Sequence, residues 1–398
     1  MSQRQVDKYI ETLIDADRLS FYQAMVEFSD TEVGTQILNW ERNGDFVPES
    51  LITKMGELGL FGLPIAPEYG GQGGGLTELV LMGLALGYHS QSVAITPGAA
   101  VSLGSKPIDT FGNDAQKKQH LPDLAAGRRM FVFGLSEPGR GSDAANPEVV
   151  AEKTPSGWRI RGEKCWSTNA KWASHVIVHA LTDPNGRNGH RSTCFIVPMD
   201  DPNVHYQEMA GKTAWKQSST GSIAFDGAHV GPDDVLGELH EGFRVMVNTL
   251  NGGRLFIASL ALASLAFALD RVRTYAQERV QFQGQPIARF QRVQDVVLEL
   301  DIALERNLTW LMHLVQRYDH GGIAQQSAAK VKIDSSRAAS RLMLDAMEIC
   351  GGVACLDEFG LARHHNDLFV TRVGEGSNRA LATFAVRPLF DQCGAILQ

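Results

Sequence analysis

The runs HVIVHAL (residues 175–181) and STCFIVPM (residues 192–199) lie in the middle of the chain, separated by the turn-forming segment DPNGRNG. Two similar runs flank them, WRIRG at residues 158–162 and GSIAFDGAHV at residues 221–230. Alternating apolar positions and β-branched residues between clusters of turn residues are typical of strands, and this stretch predicts about six to eight of them. The sequence therefore predicts a β-domain between Met130 and Leu239.

Helical periodicity flanks this region on both sides. Before it, Pro48 and Asp114 are predicted helix starts, and the segment EYGGQGGG (residues 68–75) is predicted to connect helices. That segment lacks the Lys-Ser/Thr of a phosphate-binding loop. Apolar residues recur at helical spacing in four predicted helices: Leu76, Leu79, Val80, Gly83, Leu84; Leu262, Leu265, Leu269, Val272; Val293, Val297, Leu300, Leu304, Leu308; and Val331, Ala338, Leu342, Ile349.

This order of elements predicts a multidomain α+β protein. Residues 1–128 form a predicted N-terminal helical domain, residues 129–240 the central β-domain, and residues 241–398 a C-terminal four-helix-bundle-like domain.

Composition excludes several classes of function. The chain has 398 residues and a formal net charge of −8, without a polybasic run, so it does not present the positive field that nucleic acids or anionic membranes require. No stretch approaches the roughly 20 apolar residues of a membrane span, and the charged N-terminus lacks the apolar core of a secretory signal. We expect no nucleic-acid partner, no membrane span and a cytoplasmic location.

The cysteines and histidines do not indicate a metal site. The five cysteines (Cys165, Cys194, Cys350, Cys355 and Cys393) are scattered, which fits free thiols in a reducing compartment. No zinc-binding spacing is present, so no metal is expected. The doublet His364–His365 is predicted to be an exposed polar pair rather than a pair of ligands.

Two segments in the β-region combine glycine, hydroxyl and aromatic residues. FGLSEPGRGSD (residues 133–143) turns at glycines that would let a flat polar ring and a pyrophosphate approach the main chain. A simple strand-to-loop turn explains this spacing equally well. KCWSTNA (residues 164–170) offers an indole and hydrogen-bonding groups to a conjugated cofactor, although a core tryptophan is the commoner explanation of such a segment.

A third segment, VGEGSN (residues 373–378), holds Glu375 between two glycines, where a substrate has room to approach the carboxylate. Asp367 is the nearest alternative acid. Alone, a Gly-Glu-Gly sequence is usually only a turn.

Together, in this order and in an α-β-α chain, the three segments resemble the acyl-CoA dehydrogenase family. GLPIAPEYGGQG (62–73), TFGNDAQKKQHLPDLAAG (110–127), ERVQFQGQPI (278–287) and EICGG (348–352) extend the resemblance over nearly the whole chain. It implies an FAD-dependent oxidoreductase of lipid metabolism, a homotetramer or homodimer, with the flavin between the β-domain and the C-terminal helices. It also implies an electron-transfer flavoprotein or another acceptor as partner.

The resemblance also implies a role for particular residues. Thr168 matches a position near the flavin N5. Segments that match Arg279 to Phe282 and Glu348 to Gly352 reach the FAD of a neighbouring subunit. The implied cofactor-binding residues are Phe133, Leu135, Ser136, Gly141, Ser142, Trp166, Ser167, Thr168, Arg279, Gln281, Phe282, Glu348, Gly351, Gly352, Ser377 and Asn378. The implied substrate-binding residues are Ser142, Arg254, Glu375 and Gly376.

Reading GEGSNRALATFAVR (residues 374–387) against the family's terminal motif places Glu375 on the catalytic base. Some members carry the base before an arginine on the first helix of the C-terminal domain, but here that position is Gly253, before Arg254. The sequence departs from the family pattern at Gly374, usually aromatic, at Glu348, usually glutamine, and at Arg140, usually small. Arg140 is predicted to be an exposed loop residue rather than a contact for an anionic substrate group.

The function implied by this resemblance is α,β-dehydrogenation of an acyl-CoA to a trans-2-enoyl-CoA. Two alternatives stay open: a substrate carried on acyl carrier protein in a biosynthetic pathway, and an oxidase or monooxygenase of the same fold.

Overall fold

The structure is a computed structural model, which describes residues 4–187, 189–323 and 325–390. Eight α-helices precede the sheet: α1 Gln5–Leu13, α2 Ala16–Phe28, α3 Ile37–Asn43, α4 Glu49–Glu57, α5 Leu76–Gly87, α6 Gln91–Ala99, α7 Lys106–Phe111 and α8 Asp114–Ala125. Pro48 and Asn113 are the N-caps of α4 and α8, which confirms both predicted helix starts to within one residue. Residues 70–75 connect a 3₁₀ turn to α5, as predicted.

Eight strands form one sheet: β1 Phe131–Gly134, β2 Val150–Thr154, β3 Gly157–Thr168, β4 His175–Leu181, β5 Ser192–Pro198, β6 Val204–Glu208, β7 Thr220–Val230 and β8 Val235–Leu236. Seven of them follow the order β6-β7-β3-β2-β4-β5-β8. β1 lies off this path and pairs in parallel with β4. β7 alternates buried and less buried residues, whereas β5 is buried along almost its whole length. The predicted β-region is confirmed.

After the sheet come α9 Gly242–Glu278, the hairpin β9 Val280–Gln281 and β10 Gln285–Pro286, and then α10 Gln291–Asp319, α11 Gln325–Cys350, α12 Leu361–Val373 and α13 Asn378–Phe390. The α-β-α order confirms the predicted fold class. The changes from helix to strand and back fall at residues 126–130 and 237–241, while the domain boundaries themselves stay a prediction.

The two helical regions share one hydrophobic core. Residues of α5 and α6 pack with residues of α9, α10 and α11 in a single buried cluster, whereas the sheet has a separate core. α5 is buried on every side, with 11 of its 12 residues inside, so its burial extends beyond the five positions from which the helix was predicted. A helix that is apolar all round belongs in the interior of a large domain.

α9 is the central helix of this core. Among the described residues it alone is long and apolar enough to cross a membrane, but 89% of its most apolar window is buried inside the protein.

His364 contradicts the prediction of an exposed histidine pair. Its ring is completely buried, stacks on Phe267 at 4.3 Å, and contacts Ser264 Oγ through Nδ1 at 2.8 Å. The sequence could not reveal this, because α12 buries one face against α9. Of the five cysteines, Cys165, Cys194, Cys350 and Cys355 are free thiols, and Cys393 lies outside the described residues.

Candidate active site

The glycine-rich segment of the β-region (residues 133–143) and the tryptophan segment (residues 164–170) lie side by side. The backbone N–H of Cys165 donates to the carbonyl of Ser136 at 2.9 Å, and Ser167 Oγ donates to the carbonyl of Phe133 at 3.3 Å. β3 thus extends past its regular pairing and holds the loop that follows β1. The two segments singled out in the sequence form one surface.

Trp166 stands out from this surface. The pairing of β3 with β7 shifts register between Lys164 and Ser167, and Trp166 lies there with φ of 62°. An irregularity of this kind redirects a side chain out of the ladder. The indole is 64% exposed, so its face is available to a planar ligand.

Three hydroxyl groups of this surface, unlike that of Ser167, have no protein partner among the described residues. Within residues 4–187, the side chains of Ser136, Ser142 and Thr168 make none of the hydrogen bonds that the structure shows. A side chain at Gly141 would meet no atom within 4 Å. Three free hydroxyls beside an exposed indole and an open loop suit a ligand with a flat ring and polar edges. Leu135 is half-buried in the same segment.

A buried ion pair supports the loop from beneath. Lys164 Nζ lies 2.7 Å from Glu137 Oε1 and 3.0 Å from the carbonyl of Leu135, and both charged side chains are almost completely buried. The same carboxylate accepts hydrogen bonds from the backbone N–H groups of Glu148 and Val149. The ion pair therefore joins β1, β3 and the start of β2.

Arg140 forms ion pairs with two surface carboxylates. Its guanidinium contacts Asp143 at 2.8 Å and Glu148 at 3.0 Å, and its side chain is 40% exposed. This agrees with the prediction of an exposed loop arginine.

Glu375 lies in the turn between α12 and α13. Its φ is 55° and that of Gly376 is 94°, so two successive residues adopt left-handed conformations. For a glutamate this costs roughly 1–2 kcal/mol, which the surrounding contacts must offset. The residue as a whole is half-buried, but Oε2 is buried without a hydrogen-bond partner, and the backbone N–H has none among the described residues.

Burial raises the pKa of Glu375 to about 7, while the nearby cations Arg254 and Lys332 act in the opposite direction. Arg254 is itself buried and donates from Nε to the Glu375 carbonyl at 3.3 Å and from a terminal nitrogen to Asn251 at 2.9 Å. A carboxylate with such a pKa is a stronger base than an exposed one, and about half of it is ionised at pH 7.

Gly253 makes room for the Glu375 carboxylate. A Cβ atom at position 253 would lie 2.6 Å from Glu375 Cδ and Oε1, closer than real Cβ contacts. The carboxylate therefore occupies the space that a side chain on α9 would fill. A Cβ at 253 would therefore displace the Glu375 carboxylate from its present position.

Asp367, the alternative acid, is engaged elsewhere. It is buried and accepts a hydrogen bond of 2.7 Å from the backbone N–H of Trp215, which fixes the loop before β7 against α12. Burial raises the pKa of Asp367 to about 7, so a perturbed pKa alone does not distinguish it from Glu375. The two acids differ in that Glu375 has a buried carboxylate oxygen, Oε2, without a hydrogen-bond partner.

Contacts through α6 link the two halves of the site. Asn169, just after the tryptophan segment, donates to the carbonyl of Thr96 at 2.8 Å. Two residues after Thr96 in α6, Gly98 packs against the ring of Phe256. Phe256 lies one turn of α9 beyond Gly253. The surface around Trp166 and the glutamate turn are thus connected through the packing of α6 against α9.

Ser377 and Asn378 serve the glutamate turn itself. Ser377 Oγ accepts from the backbone N–H of Ala380, and Asn378 is buried with both ends of its amide bonded to side chains of α11. The Asn378 side chain is thereby used within the protein, while the predicted role of both residues in cofactor binding stays a prediction.

The remaining predicted cofactor residues lie apart from this site, on the surface. Arg279, Gln281 and Phe282 belong to the β9–β10 hairpin, and Phe282 is 73% exposed. Glu348, Gly351 and Gly352 are exposed at the end of α11, and a side chain at either glycine would meet nothing within 4 Å. The structure does not bring these two groups to Glu375 within one chain.

Lys332 was not among the predicted site residues. This lysine of α11 is completely buried beneath the glutamate turn and donates from Nζ to the carbonyl of Gly376 at 2.8 Å. A signal was present, because position 332 falls between Ala328, Ala329, Ser335 and Ser336 on the small-residue face of the helix.

Across the described residues, no three His, Cys, Asp or Glu side chains come together in a way that could hold a metal ion.

Comparison with known families gives a consistent match along the chain. Residues 15–128 match the family description "Acyl-CoA dehydrogenase, N-terminal domain", residues 132–228 the middle domain, and residues 240–388 the C-terminal domain. The chain is 36% identical to the probable acyl-CoA dehydrogenase YngJ of Bacillus subtilis over 91% of its length and 95% of that protein.

Solved structures are similar over almost the whole chain. Butyryl-CoA dehydrogenase from Megasphaera elsdenii superposes with a TM-score of 0.91 and 29% identity, covering 95% of this chain and 99% of that one. A glutaryl-CoA dehydrogenase from Mycobacterium smegmatis in complex with FADH2 gives a TM-score of 0.90 at 25% identity, covering 96% of each chain.

Proposed function

The chain belongs to the acyl-CoA dehydrogenase family, and on that premise we propose that it converts an acyl-CoA to a trans-2-enoyl-CoA with Glu375 as the α-proton base. It is an oxidoreductase of a family that uses FAD. The observation that carries the role of Glu375 is its buried, unpartnered carboxylate oxygen, held against Gly253 in a left-handed turn.

The residues present fit FAD. The exposed indole of Trp166 offers a packing face, and the unpaired hydroxyls of Ser136, Ser142 and Thr168 offer donors to a polar ring edge and a pyrophosphate. These residues, with Phe133, Leu135, Gly141 and Ser167, are the ones we propose to hold the cofactor. When bound, FAD supplies the acceptor for the β-hydride.

The α-hydrogen of a thioester is too weakly acidic for an unassisted carboxylate, so the site must stabilise the developing enolate oxygen. The unpartnered backbone N–H of Glu375 is a donor available for the thioester carbonyl. Arg254 holds the peptide that follows Glu375 by bonding the Glu375 carbonyl, while the Glu375 N–H and Oε2 have no protein partner among the described residues. One residue can then contact both the α-hydrogen and the carbonyl of the substrate.

The remaining features of the proposal concern partners. We propose free CoA thioesters as substrates, an electron-transfer flavoprotein as electron acceptor, and a homotetramer or homodimer in which the exposed hairpin and Gly351–Gly352 reach the FAD of a second subunit. A cytoplasmic location and a place in lipid metabolism belong to the same proposal.

Anaerobic titration with acyl-CoA tests the role of Glu375. Glu375→Gln is expected to retain bound FAD but to lose bleaching of the flavin by substrate, because the amide cannot accept the α-proton. Glu152→Gln, at an exposed glutamate of β2, is the matched control and is expected to bleach normally. Undiminished bleaching of Glu375→Gln would remove this residue from the role.

The same titration separates the alternative functions. Bleaching by carrier-tethered thioesters but not by CoA thioesters would favour a carrier-protein substrate. Rapid peroxide formation on admission of air would favour an oxidase.

A further inference from the structure

Lys332 is a fully buried cation that the proposed mechanism does not use. It lies on α11 with no exposed surface, and its Nζ donates to the Gly376 carbonyl at 2.8 Å and to Asn378 Oδ1 at 3.0 Å. Burying an ammonium group costs several kcal/mol unless its contacts are good. A protein that needed only packing at this position would place an apolar residue there.

The contacts of Lys332 form a closed network. Asn378 donates from Nδ2 to Ser336 Oγ at 2.8 Å, and Ser336 Oγ donates back to the Lys332 carbonyl at 2.7 Å. The first residue of α13 is therefore fastened to one turn of α11. This fixes the C-terminal side of the glutamate turn.

Two cations hold two successive carbonyl groups of that turn. Arg254 of α9 bonds the Glu375 carbonyl, and Lys332 of α11 bonds the Gly376 carbonyl. Both residues of the turn have left-handed backbone conformations, which persist only where surrounding contacts hold them. The two donors account for how Glu375 keeps its orientation toward Gly253.

The charges around the turn couple Lys332 to the base. The groups that act on Lys332 are Glu375, Arg254 and Arg372 of α12, and those that act on Glu375 are Arg254 and Lys332. Burial lowers the pKa of Lys332 to about 7, while Glu375 acts to raise it. Each member of the pair therefore favours the charged form of the other.

We propose that Lys332 is a positioning residue for α-proton removal, which holds the Glu375–Gly376 turn and supplies positive charge that keeps the Glu375 carboxylate ionised. The inference rests on the proposed role of Glu375. It makes Lys332 part of what sets the pH at which the enzyme works.

The test measures proton removal without dehydrogenation. In (methylthio)acetyl-CoA sulfur replaces the β-carbon, so the α-hydrogens can exchange with D₂O but no β-hydride can leave. Exchange is followed by NMR across pH for the FAD-bound wild-type protein and for Lys332→Met, Lys332→Gln and Lys330→Met. Lys330 is an exposed lysine two residues earlier on α11 and serves as the matched control.

Loss of the cation should raise the pKa of Glu375, so the acid limb of the exchange profile moves to higher pH, by on the order of one unit. Lys332→Gln removes the charge but keeps a donor for Gly376, and is expected to show the same shift with a smaller fall in the maximal rate. Lys330→Met should match the wild type. A purely structural role would lower the rate without moving the limb.

An unshifted acid limb in either folded Lys332 variant overturns the proposal. If Lys332→Met does not fold, Lys332→Gln carries the test alone. Glu375→Gln, measured in parallel, separates the two levels of inference, because continued exchange in that variant would contradict the proposed base itself.

Discussion

Single atoms decide the chemistry at the glutamate turn. The motif GEGSN identified Glu375 as the candidate base from sequence, because a carboxylate between glycines is open to a substrate. Gly253 was recognisable from sequence as a position without a base, but its contact with Glu375 was not, since residues 122 positions apart meet only in the fold. Lys332 escaped notice although it lies on the small-residue face of α11, because an isolated lysine in an amphipathic helix is usually a surface charge.

Gly253→Ala is expected to displace the proposed base, Glu375, while leaving the fold intact. The new Cβ would lie 2.6 Å from the Glu375 carboxylate, and a misplacement of about 1 Å at a reacting group costs on the order of 100-fold in rate. Alanine also favours helix, so thermal stability should not fall. Rapid-mixing measurements of flavin reduction check the rate, and calorimetry checks stability.

Gly252→Ala is the control for that experiment. Its Cβ would make ordinary contacts, 3.7 Å from Tyr318 Oη and 3.9 Å from Leu76 Cδ1. Equal rates in the two alanine variants would show that the Glu375 carboxylate does not need the space at position 253.

The pH dependence of flavin reduction should report the environment of Glu375. Burial raises its pKa to about 7 from an ordinary value of 4.5, so the protonated, inactive form accumulates below pH 7. The rate is expected to rise about tenfold per unit as pH increases toward 7 and then to level off, since one proton must leave the base. An acid limb near pH 4.5 would contradict the buried carboxylate.

Secondary-structure elements determine where the proposed cofactor surface, formed by residues 133–143 and 164–170, lies. The strands were predictable because alternation and turn residues are local signals, and both cofactor segments fall on or beside predicted strands. The irregularity that exposes Trp166 was not predictable, because a register shift depends on how β3 pairs with β7. The buried pair of Lys164 and Glu137 joins these elements, and its partners lie 27 residues apart.

Lys164→Met should loosen β1 and β3 and with them the cofactor surface. The variant leaves the Glu137 carboxylate buried without its partner, which typically destabilises a protein by about 3–5 kcal/mol. We expect a lower unfolding temperature by calorimetry and a lower ratio of bound FAD to protein. Lys118→Met, at an exposed lysine of α8, should leave both unchanged. A variant as stable and as fully loaded as the wild type would show that the ion pair does not support this surface.

At the scale of the whole molecule, the α-β-α order was predictable, but the merging of both helical regions into one core was not. Helical periodicity reveals which face of each helix is apolar. The middle of α9, residues 255–269, is apolar on nearly all faces, which indicates that it is enclosed but not which helices enclose it. In contrast to the buried apolar residues of α9, those of the β9–β10 hairpin are exposed. Val280 and Phe282 are apolar yet lie largely in solvent, 52% and 73% exposed, on a hairpin that packs little of itself on its own chain.

Phe282→Asp is expected to lower both assembly and FAD content without unfolding the subunit. Phe282 contacts Phe290 edge-on at 5.4 Å but is otherwise exposed, so the fold of a single chain should tolerate the change. If the hairpin reaches the cofactor of a second subunit, a charge there should reduce the mass measured by light scattering together with the flavin-to-protein absorbance ratio. Leu58→Asp, a matched change at an exposed leucine after α4, should alter neither. A wild-type protein that is monomeric and fully loaded with FAD would contradict the shared site, since each chain would then complete its own.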